Sequence, residues 1–78
     1  PGRVATVTDQ VVAPEAGQAW RRRFRNSDRV GRLRWVRLAD ADRVATVSGP
    51  PGSDGWKGPR EQCRASYFLD NYELEVQP

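Results

Sequence analysis

Strand signals dominate the pattern of apolar and polar residues along this chain. Several short segments either alternate apolar with polar residues or are rich in β-branched residues, as expected of strands with one buried face. No stretch repeats apolar residues at i, i+3 and i+4, the spacing of an amphipathic helix. The predicted strands cover 3–8, 18–25, 32–39, 43–48, 61–67 and 72–76.

The predicted strand 18–25 combines large aromatic residues with arginines. Trp20 and Phe24 fall on one predicted face of the strand. Arg22 falls on that same apolar face, so we expect a strand that is short, at a sheet edge or bulged. The opposite face carries Arg21, Arg23 and Arg25.

A bent hairpin is predicted over 32–48. Apolar residues occupy one face of its first strand up to Trp35 and the other face from Val36 onward. Such a change of parity is expected of a strongly bent strand that serves two parts of a small barrel. The acidic segment 40–42 is predicted to form the turn, because aspartate tolerates turn conformations and hydrogen-bonds the nearby backbone.

Two segments interrupt the strands in the second half of the chain. Residues 49–59 contain four glycines and three prolines, which excludes a central strand and predicts a mobile loop. Trp56 and Lys57 lie near the tip of that loop. Residues 68–71 suit a single helical turn just before the last strand.

Five short strands with one helical turn before the last define the predicted fold class. It is all-β, a small SH3-like five-stranded barrel, and 78 residues suit one domain. The barrel domain is predicted to cover 17–78, after an N-terminal extension at 1–16 with room for a short added strand. An OB-type barrel is the main alternative, although it usually needs a longer chain and a helix between its third and fourth strands.

The residue types that most often carry chemistry are scarce. Histidine is absent and Cys63 is the single cysteine, so the sequence offers neither an internal disulfide nor His-based proton transfer. Cys63 shares the predicted inward face of 61–67 with Tyr67, which indicates a buried, inert thiol. Asp40 and Asp42 alone would make a poor metal site. We therefore expect no enzyme, no catalytic residue, no cofactor and no metal.

Cysteine usage and hydropathy bear on the cellular compartment. A single thiol fits a reducing environment. No apolar run approaches the length of a membrane span, and no signal peptide is visible. These features predict a cytoplasmic protein without a membrane partner.

Several motifs carry a resemblance to known proteins. They are a Gly-Gln-x-Trp-like opening at 17–20, an arginine-rich bend, a valine-rich hairpin with the acidic turn 40–42, and a closing Phe-x-x-x-Tyr-x-Leu at 68–74. In these motifs the chain resembles small, mostly uncharacterised proteins of actinobacteria and their phages. The resemblance covers 17–76 and implies an SH3-like fold without implying an activity. The loop 49–59 is longer than the resemblance leads us to expect.

Positive charge is concentrated between positions 20 and 43. That segment holds nine arginines and three aspartates, whereas the whole chain has a net charge of only +3. Clustered guanidinium groups attract a polyanion, and aromatic residues among them can stack on bases. We therefore expect a small nucleic-acid-binding or regulatory protein that uses an arginine-rich barrel face. The predicted contacts are Arg21, Arg23, Arg25, Arg32, Arg34 and Arg37.

Other interpretations of the same residues stay open. The protein is alternatively an interaction module that binds an acidic protein surface or takes a peptide in an aromatic groove. The arginine face is also explained as a solvated surface paired with the acidic segment 70–75. A homo-oligomeric enzyme with its active site on the symmetry axis is a further option, and the oligomeric state is left open. The candidate partner-binding residues are Trp56, Lys57, Tyr67 and Tyr72.

Overall fold

The computed structural model describes residues 13–78, so the predicted strand at 3–8 and most of the predicted extension at 1–16 lie outside the described residues. A 3₁₀ turn (Asp54–Lys57) precedes the fourth strand, and one α-helix, α1 (Ala65–Asn71), follows it. The strands are β1 (Ala19–Arg22), β2 (Leu33–Ala39), β3 (Arg43–Val47), β4 (Glu61–Arg64) and β5 (Tyr72–Val76).

The five strands form one antiparallel sheet in the order β4-β3-β2-β1-β5. The predicted mostly-β fold with five strands and a helical segment before the last one is therefore confirmed. β4 and β5 are the edges of the sheet, and within residues 13–78 no ladder joins these two strands. The sheet is accordingly not closed by hydrogen bonds.

The first strand departs from its predicted length and position. β1 ends at Arg22, and the next amide, that of Arg23, donates a hydrogen bond to the carbonyl oxygen of Asn71 at 2.8 Å. A register shift between Ala19 and Trp20 marks a bulge against β5. The strand is thus short and bulged, as the position of Arg22 predicted, but it is central in the sheet rather than at an edge.

The hairpin of β2 and β3 is confirmed in its turn and in its bend. The Asp40 carboxylate accepts hydrogen bonds from the backbone amides of Asp42 and Arg43, each at 2.8 Å. These bonds, first that from Arg43, hold the pKa of Asp40 below its usual value because they favour the charged carboxylate. The register of β2 against β3 shifts between Val36 and Leu38, which is the bulge that the change of parity predicted.

The hydrophobic core lies between one face of the sheet and α1. Phe68 is 1% exposed, and its ring centroid is 5.1 Å from that of Trp20 and 4.5 Å from that of Tyr72. The buried core cluster comprises Trp20, Val36, Val44, Ala65 and Phe68.

The predicted strand over 61–67 is wrong in its second half, because the helix begins at Ala65. The Ala65 amide donates a hydrogen bond to the carbonyl oxygen of Asp42 at 2.8 Å, just beyond the β3–β4 ladder. Ala65 and Phe68 are three residues apart, so a helix buries both on one side, whereas a strand would separate them. Tyr67 is consequently 45% exposed on the helix rather than directed inward.

The sheet curls strongly around the core. Glu61 lies on edge strand β4 and Tyr72 on the opposite edge strand β5, yet both side chains line the same hollow. Three strands separate β4 from β5 in the sheet order, so a flat sheet would keep these residues far apart. The curl brings the two sheet edges to one side of the molecule and creates the site described below.

The glycine- and proline-rich segment is anchored to the sheet rather than free. The guanidinium of Arg37 donates a hydrogen bond to the carbonyl oxygen of Trp56 at 2.6 Å, and its central carbon lies 5.4 Å from the centre of the Trp56 ring. Gly49 and Gly55 approach so closely that a Cβ on Gly55 would lie 2.6 Å from the Gly49 nitrogen. Residues 49–59 were predicted to be a mobile loop, but they form a folded segment that contains the 3₁₀ turn.

Candidate nucleic-acid interface

Two of the six arginines predicted to contact nucleic acid, Arg21 and Arg23, already make contacts within the protein. The Nε atom of Arg21 lies 2.7 Å from a carboxylate oxygen of Glu75, and its Nη1 donates to the carbonyl oxygen of Gly31 at 2.8 Å. Arg23 donates to the carbonyl oxygen of Asp70 at 2.8 Å. Arg21 therefore matches the alternative interpretation, in which an arginine pairs with the acidic C-terminal segment.

Two other predicted contacts have structural roles. Arg34 is 7% exposed, and it donates hydrogen bonds to the Thr46 hydroxyl at 3.2 Å and to the Thr46 carbonyl oxygen at 3.1 Å. Arg37 is half-buried and holds Trp56 as described above. The remaining two, Arg25 and Arg32, are exposed.

The predicted arginines do not share one face of the sheet. Arg34 lies opposite Trp20 in the β1–β2 ladder, whereas Arg21 lies opposite Leu33. Paired residues share a face and consecutive residues alternate, so Arg21 and Arg34 point to opposite faces. The expectation that the arginines of β1 and β2 meet across the sheet is therefore wrong for this pair.

A different set of arginines does converge, in a hollow of about 410 Å³ that we call the arginine–aromatic cleft. Its aromatic lining comes from Phe24 in the loop after β1 and from Tyr72 on β5. In the part of the chain that the structure describes, one carboxylate lies among four guanidinium groups, so this lining is strongly basic. The lining residues are Arg22, Phe24, Arg29, Val30, Gly31, Arg32, Arg34, Glu61 and Tyr72.

Arg22 lies at the centre of the aromatic residues. Its guanidinium carbon is 5.5 Å from the ring centre of Phe24, 5.7 Å from that of Tyr67 and 5.8 Å from that of Tyr72. Each distance is within the range of a cation–π contact. Its Nε atom is buried and has no hydrogen-bond partner among the described residues. Arg22 is thus held by rings while one of its donors stays unsatisfied.

The loop between β1 and β2 builds the outer wall of the cleft. The guanidinium carbon of Arg29 lies 4.5 Å from the ring centre of Phe24, and the Arg29 amide donates to the Ser27 hydroxyl at 3.0 Å. Gly31 packs against the backbone of Arg22, where a Cβ would lie 2.6 Å from the Arg22 carbonyl oxygen. Glycine is therefore required at this position for the loop to fold back over β1.

Glu61 is the acidic residue of the cleft. Its carboxylate oxygens lie 3.7 Å from Nε of Arg34 and 3.9 Å from Nη2 of Arg32. These separations are longer than a hydrogen bond, and the Glu61 side chain is 59% exposed. The carboxylate therefore neutralises the two guanidinium groups only weakly.

A second hollow of about 210 Å³ continues the cleft toward α1 and shares Arg22, Glu61 and Tyr72 with it. Cys63 lines this extension. Burial, and then the nearby Glu61 carboxylate, raise the pKa of the Cys63 thiol. A thiol with a raised pKa stays protonated near neutral pH, so Cys63 is poorly suited to act as a nucleophile.

The predicted partner-binding residues separate into two places. Tyr72 lines both hollows and Tyr67 lines the extension, so these two tyrosines lie together beside Arg22. Trp56 contacts Arg37 instead and lines neither hollow, and Lys57 is exposed next to it in the chain. The aromatic groove expected from Tyr67, Tyr72 and Trp56 therefore lacks the tryptophan.

Six of the nine lining residues were not identified as site residues from the sequence, among them Arg22, Phe24 and Arg29. Arg22 carried a usable signal, because a charged residue on an apolar strand face needs either a partner or a function. Phe24 and Arg29 lie in or next to the loop after β1, where no periodicity relates one side chain to another. Their contact depends on how that loop folds back.

Two further properties of the described residues bear on this site. Across residues 13–78 no group of three or more potential metal-binding side chains comes together. The described helices include none that is both long and apolar enough to span a bilayer.

In the comparisons with known proteins, no family model, no curated protein and no solved structure matches the chain.

Proposed function

We propose that this protein binds nucleic acid through the arginine–aromatic cleft. The observation that carries the proposal is the convergence of Arg22, Arg29, Arg32 and Arg34 on one hollow, whose lining among the described residues includes a single carboxylate. Guanidinium groups recognise phosphates through paired hydrogen bonds, and rings beside them offer faces on which bases stack. The cleft combines both features on one side of the sheet.

The charge of the cleft sets the expected salt dependence. Four guanidinium groups and one carboxylate leave a local charge equivalent to about three phosphates. For a single strand, neutralising about three phosphates corresponds to a salt slope of roughly −2, or about a 20-fold loss of affinity between 50 and 200 mM salt. Plain surface charge without a site would show no such dependence on particular arginines.

A charge-matched pair of variants tests the proposal. The double variant Arg29→Ala/Arg32→Ala removes two exposed arginines of the cleft, and Arg25→Ala/Arg60→Ala removes two exposed arginines outside its lining. Binding of fluorescent oligonucleotides is measured by anisotropy from 20 to 200 mM salt. We expect the first variant to lose about tenfold in affinity and one to two units of salt slope. Equal losses in the two variants, or no binding by the wild type at 20 mM salt, would contradict the proposal.

We also propose that the curled sheet is an SH3-like barrel related to the small actinobacterial and phage proteins that the sequence resembles. The strand order, the strong curl and the helix between β4 and β5 support this proposal. We further propose that the protein acts in the cytoplasm by binding rather than by catalysis. An experimental structure tests the barrel by showing whether β4 and β5 approach each other along their length.

A protein partner is the second candidate for the same cleft. Val30, at its rim, is 76% exposed, and Tyr67 beside the extension is 45% exposed. Exposed apolar side chains around charged groups are typical of protein interfaces. A pull-down from host lysate with and without nuclease separates the candidates, because a direct protein partner stays bound after the nucleic acid is digested.

A further inference from the structure

We infer that the arginine–aromatic cleft takes a single-stranded nucleic acid and that one unpaired nucleotide enters the hollow. The inference rests on the proposed function and adds the form of the polymer and the way it is held. Three properties of the cleft carry it: the depth of its guanidinium groups, its size, and the environment of Arg22.

The cationic groups of the cleft lie at different depths. Arg29 and Arg32 are exposed at the rim, whereas Arg34 is 7% exposed and Arg22 is half-buried. A duplex keeps its bases stacked and its phosphates on a rigid outer surface. It could therefore contact only the arginines at the rim and not the deeper ones. A single strand can turn one nucleotide inward, where its base meets aromatic rings and guanidinium planes.

The size of the cleft fits one nucleotide rather than a helical segment. Its volume of about 410 Å³ falls in the range of roughly 300–1,000 Å³ that is typical of sites for small molecules. The extension of about 210 Å³ adds room beside Tyr67 and Tyr72. A nucleotide that turns in at the rim can therefore place its base between the two sheet edges.

Arg22 occupies the place that a base would take. Its guanidinium lies near the rings of Phe24, Tyr67 and Tyr72, while its buried Nε has no acceptor within residues 13–78. A buried donor without a partner is unfavourable, and a phosphate oxygen would supply the missing acceptor. If Arg22 moves toward the phosphate, the base replaces it against the rings. An acidic peptide would satisfy the guanidinium but would leave the ring faces uncovered.

Oligonucleotides alone provide the first test and require no protein variant. We compare a labelled 12-nucleotide strand, the blunt duplex of the same sequence, and a strand of equal length in which every sugar is abasic, each in DNA and in RNA form. We expect the intact single strand to bind at least about tenfold more tightly than the duplex. We expect the abasic strand to lose about 5- to 100-fold relative to the intact strand, as for loss of one stacked base.

Single protein variants, each measured with the intact and the abasic strand, locate the effect in the cleft. Phe24→Leu removes a ring and keeps an apolar side chain, and Trp56→Leu removes a ring that lies outside the cleft. Phe24→Leu is expected to weaken binding of the intact strand by a larger factor than binding of the abasic strand, because only the intact strand loses a stacked base. Trp56→Leu is expected to affect binding of neither strand, and circular dichroism checks that both variants fold.

The outcomes distinguish this inference from the proposed function. Equal affinity for the duplex and the single strand, or for the abasic and the intact strand, would overturn the inference and leave nucleic-acid binding in place. No salt-sensitive binding to any oligonucleotide at 20 mM salt would overturn both. A preference for the intact single strand that Phe24→Leu removes would support both.

Discussion

Arg34 on β2 is bound to Thr46 on β3 by two hydrogen bonds, from Nε to the hydroxyl at 3.2 Å and from Nη2 to the carbonyl oxygen at 3.1 Å. The arginine is 7% exposed, and Thr46 is 4% exposed. This pair fixes a positive charge at the floor of the cleft. It also makes Arg34 part of the structure that holds β2 against β3.

The first prediction concerns the stability that Arg34 provides. Replacing Arg34 with Leu removes both hydrogen bonds to Thr46. The Thr46 carbonyl oxygen then lacks the hydrogen bond that the guanidinium donates. We expect the free energy of unfolding to fall by about 1–3 kcal/mol, the range for lost hydrogen bonds to a charged group. Urea denaturation followed by tryptophan fluorescence measures the change. Arg25→Leu is the control, since Arg25 is exposed and should change stability by less than about 0.5 kcal/mol. Equal stability of the two variants would contradict a structural role for Arg34.

The second prediction concerns Glu61 as a competitor for the bound phosphate. Its carboxylate lies between Arg32 and Arg34, at 3.9 and 3.7 Å, where a phosphate oxygen would be attracted. Glu61→Gln should therefore raise the affinity for a single-stranded oligonucleotide by roughly threefold or more at low salt, with less gain at high salt.

Glu73→Gln makes the same change of charge on β5, away from the cleft lining, and serves as the control. Anisotropy titrations of the two variants at 20 and 200 mM salt provide the measurement. If both variants gain equally, the gain reflects total charge alone, and Glu61 has no special position.

The third prediction follows from the lowered pKa of Asp40. The backbone amides of Arg43 and Asp42 stabilise its charged form in the folded protein. A carboxyl group with a depressed folded pKa contributes stability above its unfolded pKa, near 3.9, and loses that contribution as pH falls through the folded value.

Wild type should therefore be more stable than Asp40→Ala at pH 7, and this difference should shrink as the pH is lowered below about 4. Asp40→Asn keeps an oxygen acceptor for the two amides, so it should lose less stability than the alanine variant. Urea midpoints at several pH values provide the measurement. A difference that is constant from pH 7 to pH 2 would show that the charge of Asp40 does not matter.

The fourth prediction concerns the close packing of Gly31 on Arg22. A methyl group at position 31 would lie 2.6 Å from the Arg22 carbonyl oxygen, so Gly31→Ala must displace the loop that forms the cleft wall. We expect a loss of about 1–3 kcal/mol in stability, as for overpacked sites. We also expect weaker oligonucleotide binding, because Phe24 and Arg29 move with the loop.

At Gly58 an added Cβ would meet its nearest atom at 3.4 Å, an ordinary contact, so Gly58→Ala is the matched control. Similar behaviour of the two variants would rule out the proposed contact.

The hairpin of β2 and β3 could be predicted from the sequence, whereas the start of α1 could not. The bend of β2 was predictable because a bulge must change which face the apolar residues occupy, and the turn at 40–42 was predictable because Asp40 makes only local hydrogen bonds. The start of α1 at Ala65 was not predictable, because a short alternating segment fits a strand as well as a helix. The packing of Phe68 against Trp20 favoured the helix.

The sequence by itself determined, through its local periodicity, a β-rich chain with the five strands found in residues 13–78. Its composition determined the excess of arginine in the first half of the chain. The curl of the sheet and the path of the loop after β1 depend on contacts between residues distant in the chain, so only the tertiary structure decided them. Those contacts place Arg21 beside Glu75 and bury Arg34 against Thr46. They also bring Glu61 near Arg32, 29 positions earlier in the chain. Net charge is a property of composition, whereas a site depends on which charges share a surface.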